Sequence, residues 1–207
     1  MKTTYSFRGL YAITAGEQGQ KLIDNVQAAL QGGARVVQYR DKTTDQARRF
    51  AEAQALNDLC QLHKVPFIVN DDLELALAVK ATGVHLGQED GDAQTARKIA
   101  GEHFIIGVTC HDSIQLAKTA VLADASYVAF GACFPSSTKP TAAPASLTTI
   151  TQARQQIALP IVAIGGITLN NATSVIAAGA DMMCVISDLF HAANITERAR
   201  EYGKLFP

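Results

Sequence analysis

The feature that most constrains this chain is a regular alternation of short β-branched runs with longer Ala-rich stretches of helical period. Between the runs, apolar residues recur at three- and four-residue steps, as at Ile114, Ala117 and Val121, which is typical of one face of a helix. Several runs are apolar almost throughout, as expected of strands in a parallel sheet covered on both faces. The predicted strands cover residues 10–14, 35–39, 67–70, 83–86, 105–109, 127–130, 161–164 and 182–186.

The junctions between predicted helices and strands repeat as well. Gly33, the pair Thr82 and Gly83, Asp124 and Gly179 each lie where a helix would close and a strand would open. A residue of this kind ends a helix in a left-handed conformation and allows a tight turn into the sheet. Eight strands in 207 residues leave about 26 residues per unit, close to the ~30 of a βαβ unit. We therefore predict one α/β domain over residues 1–207, a (β/α)₈ TIM barrel, in preference to an open doubly wound sheet.

Charge and composition exclude several classes of function. Lys and Arg total 18 against 19 Asp and Glu, without the basic surplus that binding to nucleic acid requires. No apolar run reaches the ~18–20 residues of a membrane span, and the first residues lack the features of a signal peptide. The four cysteines are widely spaced, and we interpret Cys110 and Cys133 as packing residues. We expect a cytoplasmic protein without nucleic-acid or membrane partners, either a monomer or a homo-oligomer.

Polar residues concentrate directly after the predicted strands, where the active sites of barrels lie. Gln38, Arg40 and Lys42 alternate after the second strand, so their side chains project to the same side. Two neighbouring cations suit a phosphate group, although a structural salt bridge with a nearby carboxylate would also explain them. Lys139 follows a Ser-Ser-Thr run after the sixth strand, either as a further phosphate ligand or as a solvated loop residue.

A second candidate anion site follows the last two strands. Gly165 and Gly166 come after the seventh strand, just before a predicted helix, and Ser187 comes after the eighth. Backbone N–H groups at such a turn bind phosphate in many barrels. The sequence therefore predicts two anion sites on one rim.

Carboxylates and histidines complete the predicted rim. Asp71 and Asp90 follow adjacent strands, so their oxygens are placed to converge on a hard cation such as Mg²⁺. The alternative for these residues is a helix N-cap, which we favour for Asp72. His85 and His111 are candidates for contact with a substrate, with a structural role as the alternative.

Taken in order, these motifs resemble those of thiamine phosphate synthases over residues 9–195, nearly the whole chain. The motifs are Leu10-Tyr11-Ala12-Ile13-Thr14, Gln38-x-Arg40-x-Lys42, Asn70-Asp71, Gly83-Val84-His85-Leu86-Gly87-Gln88-x-Asp90, Gly107-Val108-Thr109-x-His111, Phe134-Pro135-x-x-Thr138-Lys139, Ala163-Ile164-Gly165-Gly166-Ile167 and Val185-Ile186-Ser187. Members of this family are (β/α)₈ barrels that join hydroxymethylpyrimidine diphosphate to a thiazole phosphate, releasing pyrophosphate and giving thiamine monophosphate. The resemblance thus implies a Mg²⁺-dependent transferase acting on two small molecules.

The resemblance also implies a role for each matching residue. Arg40, Lys42 and Lys139 would hold the diphosphate, with Mg²⁺ on Asp71 and Asp90. The other implied site residues fall into three groups: Gln38, Asn70 and Thr109 at the pyrimidine; Gly165, Gly166, Ile186 and Ser187 at the thiazole phosphate; Ser136 and Thr138 in the loop before Lys139. Arg40, Lys42, Lys139 and Thr109 would then act in catalysis.

The reaction needs neither a protein nucleophile nor a general base if pyrophosphate leaves first from the electron-rich pyrimidine. The protein then has to neutralise the leaving group, position both ligands and exclude water. Three features depart from the family pattern: Asp72 stands where the family usually has Arg, Tyr39 replaces a Leu, and residues 140–146 lack the usual acidic residue and glycine. The alternatives are a thiazole tautomerase with a histidine acid/base and no metal, a non-catalytic phosphate-ligand-binding homologue, and a phosphosugar isomerase.

Overall fold

Eight parallel strands close into one ring in the computed structural model, which describes residues 7–135 and 145–206. Each strand pairs with its neighbours in chain order, and β1 pairs with β8 to close the barrel. The strands are β1 (Gly9–Ile13), β2 (Val36–Tyr39), β3 (Phe67–Asn70), β4 (Gly83–Leu86), β5 (Ile105–His111), β6 (Tyr127–Phe130), β7 (Ile161–Ile164) and β8 (Met182–Val185). The predicted (β/α)₈ barrel is confirmed.

The bounds of β3, β4, β6 and β7 are those predicted, and the others differ by one or two residues. The largest difference is at β5, which continues to His111 because the register with β6 shifts between Thr109 and His111. At the end of β8, Ile186 is not a strand residue but the N-cap of a short helix. These differences lie at the rim, where the chain leaves the sheet to form the candidate site.

Helices follow the strands, and most begin with a side-chain cap. Asp45, Asp72, Asp92, Ser113 and Ser146 each accept a hydrogen bond from a backbone N–H in the first turn of their helix. The described helices are α1 (Gly19–Gln31), α2 (Gln46–Leu62), α3 (Leu73–Ala78), α4 (Ala93–Ala100), α5 (Ile114–Leu122), α6 (Leu147–Gln156), α7 (Ala172–Ala177), α8 (Ser187–Phe190) and α9 (Ile195–Gly203). Among the helices in the described part of the chain, none has the length and apolarity needed to cross a membrane.

The junctions from helix to strand use left-handed residues, as predicted for Gly33, Asp124 and Gly179. At the junction before β4 the left-handed residue is Lys80, with φ 55°, instead of Thr82 or Gly83. Here the N–H of Ala81 reaches back to the carbonyl of Ala76 at 2.8 Å, which closes the helix end. A left-handed conformation is sterically unfavourable for Lys and not for Gly, so the sequence did not predict that Lys80 would adopt it.

The core has two layers. One lies between the strands and the helices, and the other fills the barrel interior. Within the interior, Gly107 leaves the space that the ring of Tyr127 occupies, since a Cβ there would lie 2.0 Å from Tyr127 Cζ. A side chain at Gly107 would displace this ring, whose hydroxyl lies inside the barrel below the rim.

Candidate active site

A pocket of about 790 Å³ opens beside the carboxyl ends of β2, β3 and β4. We call it the charged pocket, because five carboxylates and two cations lie among its described lining residues. The cations are Lys42 and Arg49, and the carboxylates belong to Asp41, Asp71, Asp72, Glu74 and Asp90. Asn70 also lines it, so the structure brings the predicted metal ligands together with Lys42 and Asn70.

Asp71 and Asp90 interact directly across this pocket. Burial raises the pKa of Asp71, and the hydrogen bond and charge of Asp90 raise it further, while Lys42 and Arg40 act in the opposite direction. Lys42 Nζ lies 3.7 Å from Asp71 Oδ2. The carboxylates of Asp71 and Asp90 lie within hydrogen-bonding distance of each other, so they repel unless a proton or a cation lies between them.

The backbone holds both carboxylates in place. Asp71 has φ 65°, an uncommon conformation for a residue with a side chain, while its N–H still bonds to the carbonyl of His85 at 2.8 Å. Asp90 Oδ2 accepts a hydrogen bond of 3.1 Å from the N–H of Gly87. A Cβ on Gly87 would lie 2.4 Å from that oxygen, so a larger residue there would require the Asp90 carboxylate to shift.

The donor set fits Mg²⁺ of the kind that shares its coordination with a phosphorylated ligand. Mg²⁺ commonly takes one or two protein carboxylates and completes its octahedron with phosphate oxygens and water. Asp71 and Asp90 supply two such carboxylates. No cluster of three or more His, Cys, Asp or Glu side chains suited to a metal occurs within residues 7–135 and 145–206. A bound metal here would therefore depend on ligand oxygens as well as on the protein.

The segment that carries Arg40 and Lys42 is anchored at both ends. The N–H of Arg40 bonds to Thr14 Oγ1 at 2.9 Å. Asp41 forms an ion pair of 2.7 Å with Arg48 and accepts a hydrogen bond of 2.7 Å from the N–H of Thr43. Burial raises the pKa of Asp41, but the hydrogen bonds from Thr43 and Arg48 outweigh it and lower the pKa to about 2. Asp41 is therefore ionised and fixes the backbone between the two cations.

A buried glutamate supports this arrangement from behind. Glu52 accepts hydrogen bonds from Tyr39 Oη at 2.7 Å, Arg48 Nη1 at 2.9 Å and the N–H of Gly19 at 2.7 Å. These contacts link the end of β2 to the first residue of α1 and to α2. They also explain Tyr39 in place of a leucine, because its hydroxyl gives the buried carboxylate a donor.

A chain of hydrogen bonds crosses the barrel just below the rim. Gln38 Nε2 donates to Tyr11 Oη at 2.8 Å, and Tyr11 Oη lies 2.7 Å from Tyr127 Oη. Burial raises the pKa of both tyrosines, so both hydroxyls stay protonated. His85 continues the chain, with Nδ1 at 3.0 Å from Tyr127 Oη and Nε2 at 2.8 Å from Thr109 Oγ1. The structure thus connects the predicted site residues Gln38 and Thr109 through the candidate residue His85 and a pair of tyrosines that the sequence did not single out.

The two histidines differ in environment. His85 is partly buried, stacks on Tyr127 and uses both ring nitrogens in the hydrogen-bond chain. His111 is exposed at the bulge of β5, with φ 50°. His85 therefore belongs to the hydrogen-bond chain through two hydroxyl groups, whereas His111 faces solvent at the rim.

A second pocket of about 180 Å³ lies at the ends of β7 and β8, and we call it the glycine pocket. Gly165, Gly166, Ile186 and Ser187 all line it, as the sequence predicts for one site. Gly166 has φ 61°, and a Cβ there would lie 2.3 Å from the carbonyl oxygen of Pro135. Only glycine fits at this position of the turn.

Neighbouring side chains fix the shape of the glycine pocket. Asn171 accepts a hydrogen bond from the N–H of Thr168 at 2.9 Å and donates to the carbonyl of Gly166 at 3.0 Å. Asp188, the one charged residue among the described lining, forms an ion pair of 2.6 Å with Arg198 and accepts a hydrogen bond of 2.6 Å from Tyr202. Its negative charge is therefore partly offset by Arg198.

Several predicted features remain to be placed. Ser136, Thr138 and Lys139 lie outside the described residues, as does most of the stretch 140–146.

Asp72 caps α3, as predicted, through a hydrogen bond from the N–H of Leu75 at 2.9 Å. Burial raises the pKa of the Cys110 thiol to about 12 and that of Cys133 to about 11, in keeping with packing roles.

The sequence reading missed three contributors: the Tyr11–Tyr127 pair, the Arg48–Glu52 pair and Arg49. The tyrosines look like core residues in a strand, and their pairing joins positions 116 residues apart. Arg48 and Arg49 lie in the Ala-rich second helix, where a charged residue normally indicates a solvated face. The one available signal was Glu52, four residues after Arg48 on the same helix.

Fold and site together define a (β/α)₈ barrel with a charged pocket and a glycine pocket on its carboxyl-terminal rim. A family model described as thiamine monophosphate synthase matches residues 10–189. Hence the chain belongs to the thiamine monophosphate synthase family.

Individual relatives agree with this assignment over nearly their whole length. The thiamine-phosphate synthase of Marinobacter nauticus is 50% identical over 202 residues, covering 96% of this chain and 90% of the relative. That of Thioalkalivibrio sulfidiphilus is 48% identical over 207 residues, covering 99% and 98%. A solved structure of thiamine phosphate pyrophosphorylase from Pyrococcus furiosus superposes with a TM-score of 0.88 at 31% identity, covering 97% and 96%.

Proposed function

We propose that this protein is a Mg²⁺-dependent thiamine phosphate synthase, which joins hydroxymethylpyrimidine diphosphate to a thiazole phosphate and releases pyrophosphate. The observation that carries the proposal is the presence of two chemically distinct pockets on one barrel rim. The charged pocket suits a diphosphate with a metal, and the glycine pocket suits a single phosphate held by backbone N–H groups. Family membership adds independent support.

In the proposed reaction, the bond between the pyrimidine methylene carbon and the diphosphate oxygen breaks first. Its electron pair leaves with pyrophosphate, and the cation is stabilised by the electron-rich aminopyrimidine. The lone pair of the thiazole nitrogen then forms the new carbon–nitrogen bond. The reaction needs no protein nucleophile, so the residues act by orientation, charge neutralisation and exclusion of water.

Each described residue has a role in this scheme that its contacts support. Lys42 and Arg40 would neutralise the departing diphosphate, and their effect on the pKa of Asp71 indicates that both charges reach this pocket. Asp71 and Asp90 would hold Mg²⁺, which when bound supplies further positive charge to the leaving group. Gln38 and Asn70 would orient the pyrimidine, and the bond from Gln38 Nε2 to Tyr11 leaves the amide oxygen of Gln38 to accept from the ligand.

Residues on the other side of the rim would position the thiazole and exclude water from the bound substrates. Gly165, Gly166, Ile186 and Ser187 would hold the thiazole phosphate, with Thr109 beside the pyrimidine. By resemblance to the family, Lys139 would contact the diphosphate, and Ser136 and Thr138 would belong to the loop before it. A thiazole tautomerase would instead use His85 or His111 as an acid/base group and no metal. The presence of Lys42, Asp71 and Asp90 in one pocket favours the synthase.

The test is a coupling assay with both phosphorylated substrates, scoring thiamine phosphate and pyrophosphate together with and without Mg²⁺. We expect equal amounts of both products, loss of activity in EDTA, and at least a ~100-fold lower kcat/KM in Asp90→Ala and Lys42→Ala. Glu89→Ala, an exposed acidic neighbour of Asp90, is the matched control and should keep activity within twofold. Binding of the thiazole phosphate without formation of either product would refute the proposed reaction.

A further inference from the structure

Arg49 is a cation of the charged pocket that neither the sequence motifs nor the proposed mechanism uses. It comes from the first turns of α2, and its Nη2 lies 2.8 Å from Asp72 Oδ2 at the end of β3. It lines the same pocket as Lys42, Asp71 and Asp90. Its side chain is only 17% exposed, so it is held in the pocket wall and does not extend into solvent.

The pairing pattern places Arg49 beside Lys42. Lys42 faces Asp71 at 3.7 Å, and Arg49 faces the next residue, Asp72, at 2.8 Å. Two cations from the β2–α2 region therefore meet two consecutive carboxylates at the end of β3. Both cations therefore line the pocket that is proposed to hold the diphosphate.

Asp72 is built to hold Arg49 in position. Its Oδ1 accepts the capping hydrogen bond of 2.9 Å from Leu75, while its Oδ2 takes the ion pair with Arg49. Both oxygens are thus engaged, and the carboxylate is fixed to the start of α3. The acidic residue at this position consequently brings a second cation with it and does not simply oppose an anion.

The guanidinium retains hydrogen-bonding capacity. An Arg side chain has five N–H donors in a planar fork, of which Nη2 alone has a partner within the described residues. Its Nε is buried and lacks a partner in the described part of the chain. Nε is shielded from solvent, so an anion in the pocket would reach the guanidinium through its Nη atoms, and phosphate oxygens match the geometry of these donors.

We propose that Arg49 is a further diphosphate-binding residue, held by Asp72 so that its guanidinium contacts the leaving group beside Lys42. This inference rests on the proposed function for the identity of the substrate. Its physical content is narrower, namely that Arg49 contacts a diphosphate anion in the charged pocket.

The first experiment measures binding of inorganic pyrophosphate to the full chain by calorimetry in excess Mg²⁺, with binding of the thiazole phosphate as an internal reference. In Arg49→Ala we expect roughly tenfold or greater weakening for pyrophosphate and less than twofold for the thiazole phosphate. The matched control is Arg154→Ala, which breaks a partly buried Arg–Asp pair of 2.7 Å at the opposite end of the barrel. It should lower thermal stability and leave both affinities within twofold. Pyrophosphate affinity within twofold of wild type in Arg49→Ala would overturn the proposal.

A double variant separates contact from charge compensation. If Arg49 serves only to cancel the charge of Asp72, then Arg49→Ala combined with Asp72→Asn should regain wild-type pyrophosphate affinity, and that result also overturns the proposal. We expect instead that at least a fivefold loss persists, because the contact itself is missing. Asn keeps the cap of α3 in this variant. If Arg49→Ala fails to fold, Arg49→Gln gives the same comparison with a neutral side chain of similar length.

These measurements remain separable from the coupling assay. Absence of thiamine phosphate from the wild-type reaction would count against the proposed function and leave the pyrophosphate titrations interpretable. Active wild-type protein with unchanged pyrophosphate binding in Arg49→Ala would count against Arg49 alone. In active protein, the same variant should raise KM for the pyrimidine diphosphate roughly tenfold with the KM for thiazole phosphate unchanged.

Discussion

The charged pocket and the glycine pocket, each proposed to bind an anion, are built from different materials. The first uses side chains of both signs, such as Lys42 against Asp71 and Arg49 against Asp72. The second has no cation among its described lining residues and depends on glycines whose φ angles are 98° and 61°. A pocket made of charges tolerates small changes in shape and is sensitive to salt and pH. A pocket made of backbone groups depends on shape, so it is sensitive to small changes in shape and less sensitive to salt and pH.

The largest effect that separates the two pockets should come from Gly166→Ala. The new Cβ would lie 2.3 Å from Pro135 O and 2.7 Å from Phe134 O, both backbone atoms, at a φ of 61°. We expect KM for the thiazole phosphate to rise by about 100-fold, while pyrophosphate binding in Mg²⁺ changes less than threefold. Steady-state kinetics and pyrophosphate calorimetry on the same preparation measure both.

The control for this substitution is Gly203→Ala, near the end of α9, where a Cβ meets nothing within 4 Å. It should leave both ligands unaffected. If Gly166→Ala weakens pyrophosphate as much as the thiazole phosphate, the two pockets are mechanically coupled and their separation as independent sites is wrong.

An intermediate effect is expected from ionic strength. Raising NaCl from 50 to 500 mM at constant free Mg²⁺ should weaken pyrophosphate binding by roughly tenfold and thiazole phosphate binding by less than about threefold, because salt screens exposed charges such as Lys42. Lys42 is 60% exposed, so its attraction for an anion is screened readily. Calorimetric titrations across the salt series measure both slopes. Equal slopes for the two ligands would show that the glycine pocket also depends on a cation.

The same contrast explains what the sequence could reveal. The strands were predictable because apolar β-branched runs have few other uses, and the rim residues because a barrel places whatever follows a strand at one end. Gly165, Gly166 and Ser187 belong to this predictable part, since chain order alone brings them together. Their exact roles as ligands of a phosphate stay predictions.

What sequence could not reveal is which side chains meet across the barrel. The hydrogen bond between Tyr11 and Tyr127 depends on the barrel's curvature and on the space at Gly107, not on a local pattern. Arg49 was hidden for a similar reason, because its partner Asp72 lies 23 residues away on another element. Long-range pairing of polar groups is set by packing, so it appears only once the fold is built.

The smallest effect concerns the support of the charged pocket. The pKa of Asp41 falls from its usual 3.8 to about 2 in the fold, so its carboxylate stabilises the protein above the usual pKa and that contribution is lost as pH falls toward 2. Asp41→Asn should therefore lower the free energy of unfolding at pH 6 by about 1–2 kcal/mol, and by less near pH 3. Urea unfolding at both pH values measures the difference.

Asp58→Asn, an exposed change on α2, is the control and should cost little at either pH. A stability loss in Asp41→Asn that is the same at pH 3 as at pH 6 would mean that Asp41 acts by shape instead of charge. In that case the segment between Arg40 and Lys42 would depend on shape, as the glycine pocket does. The expected pH dependence would instead show that an ionised carboxylate holds the segment that carries Arg40 and Lys42. In that state Asp41 pairs with Arg48 at 2.7 Å and accepts a hydrogen bond from the N–H of Thr43 at 2.7 Å.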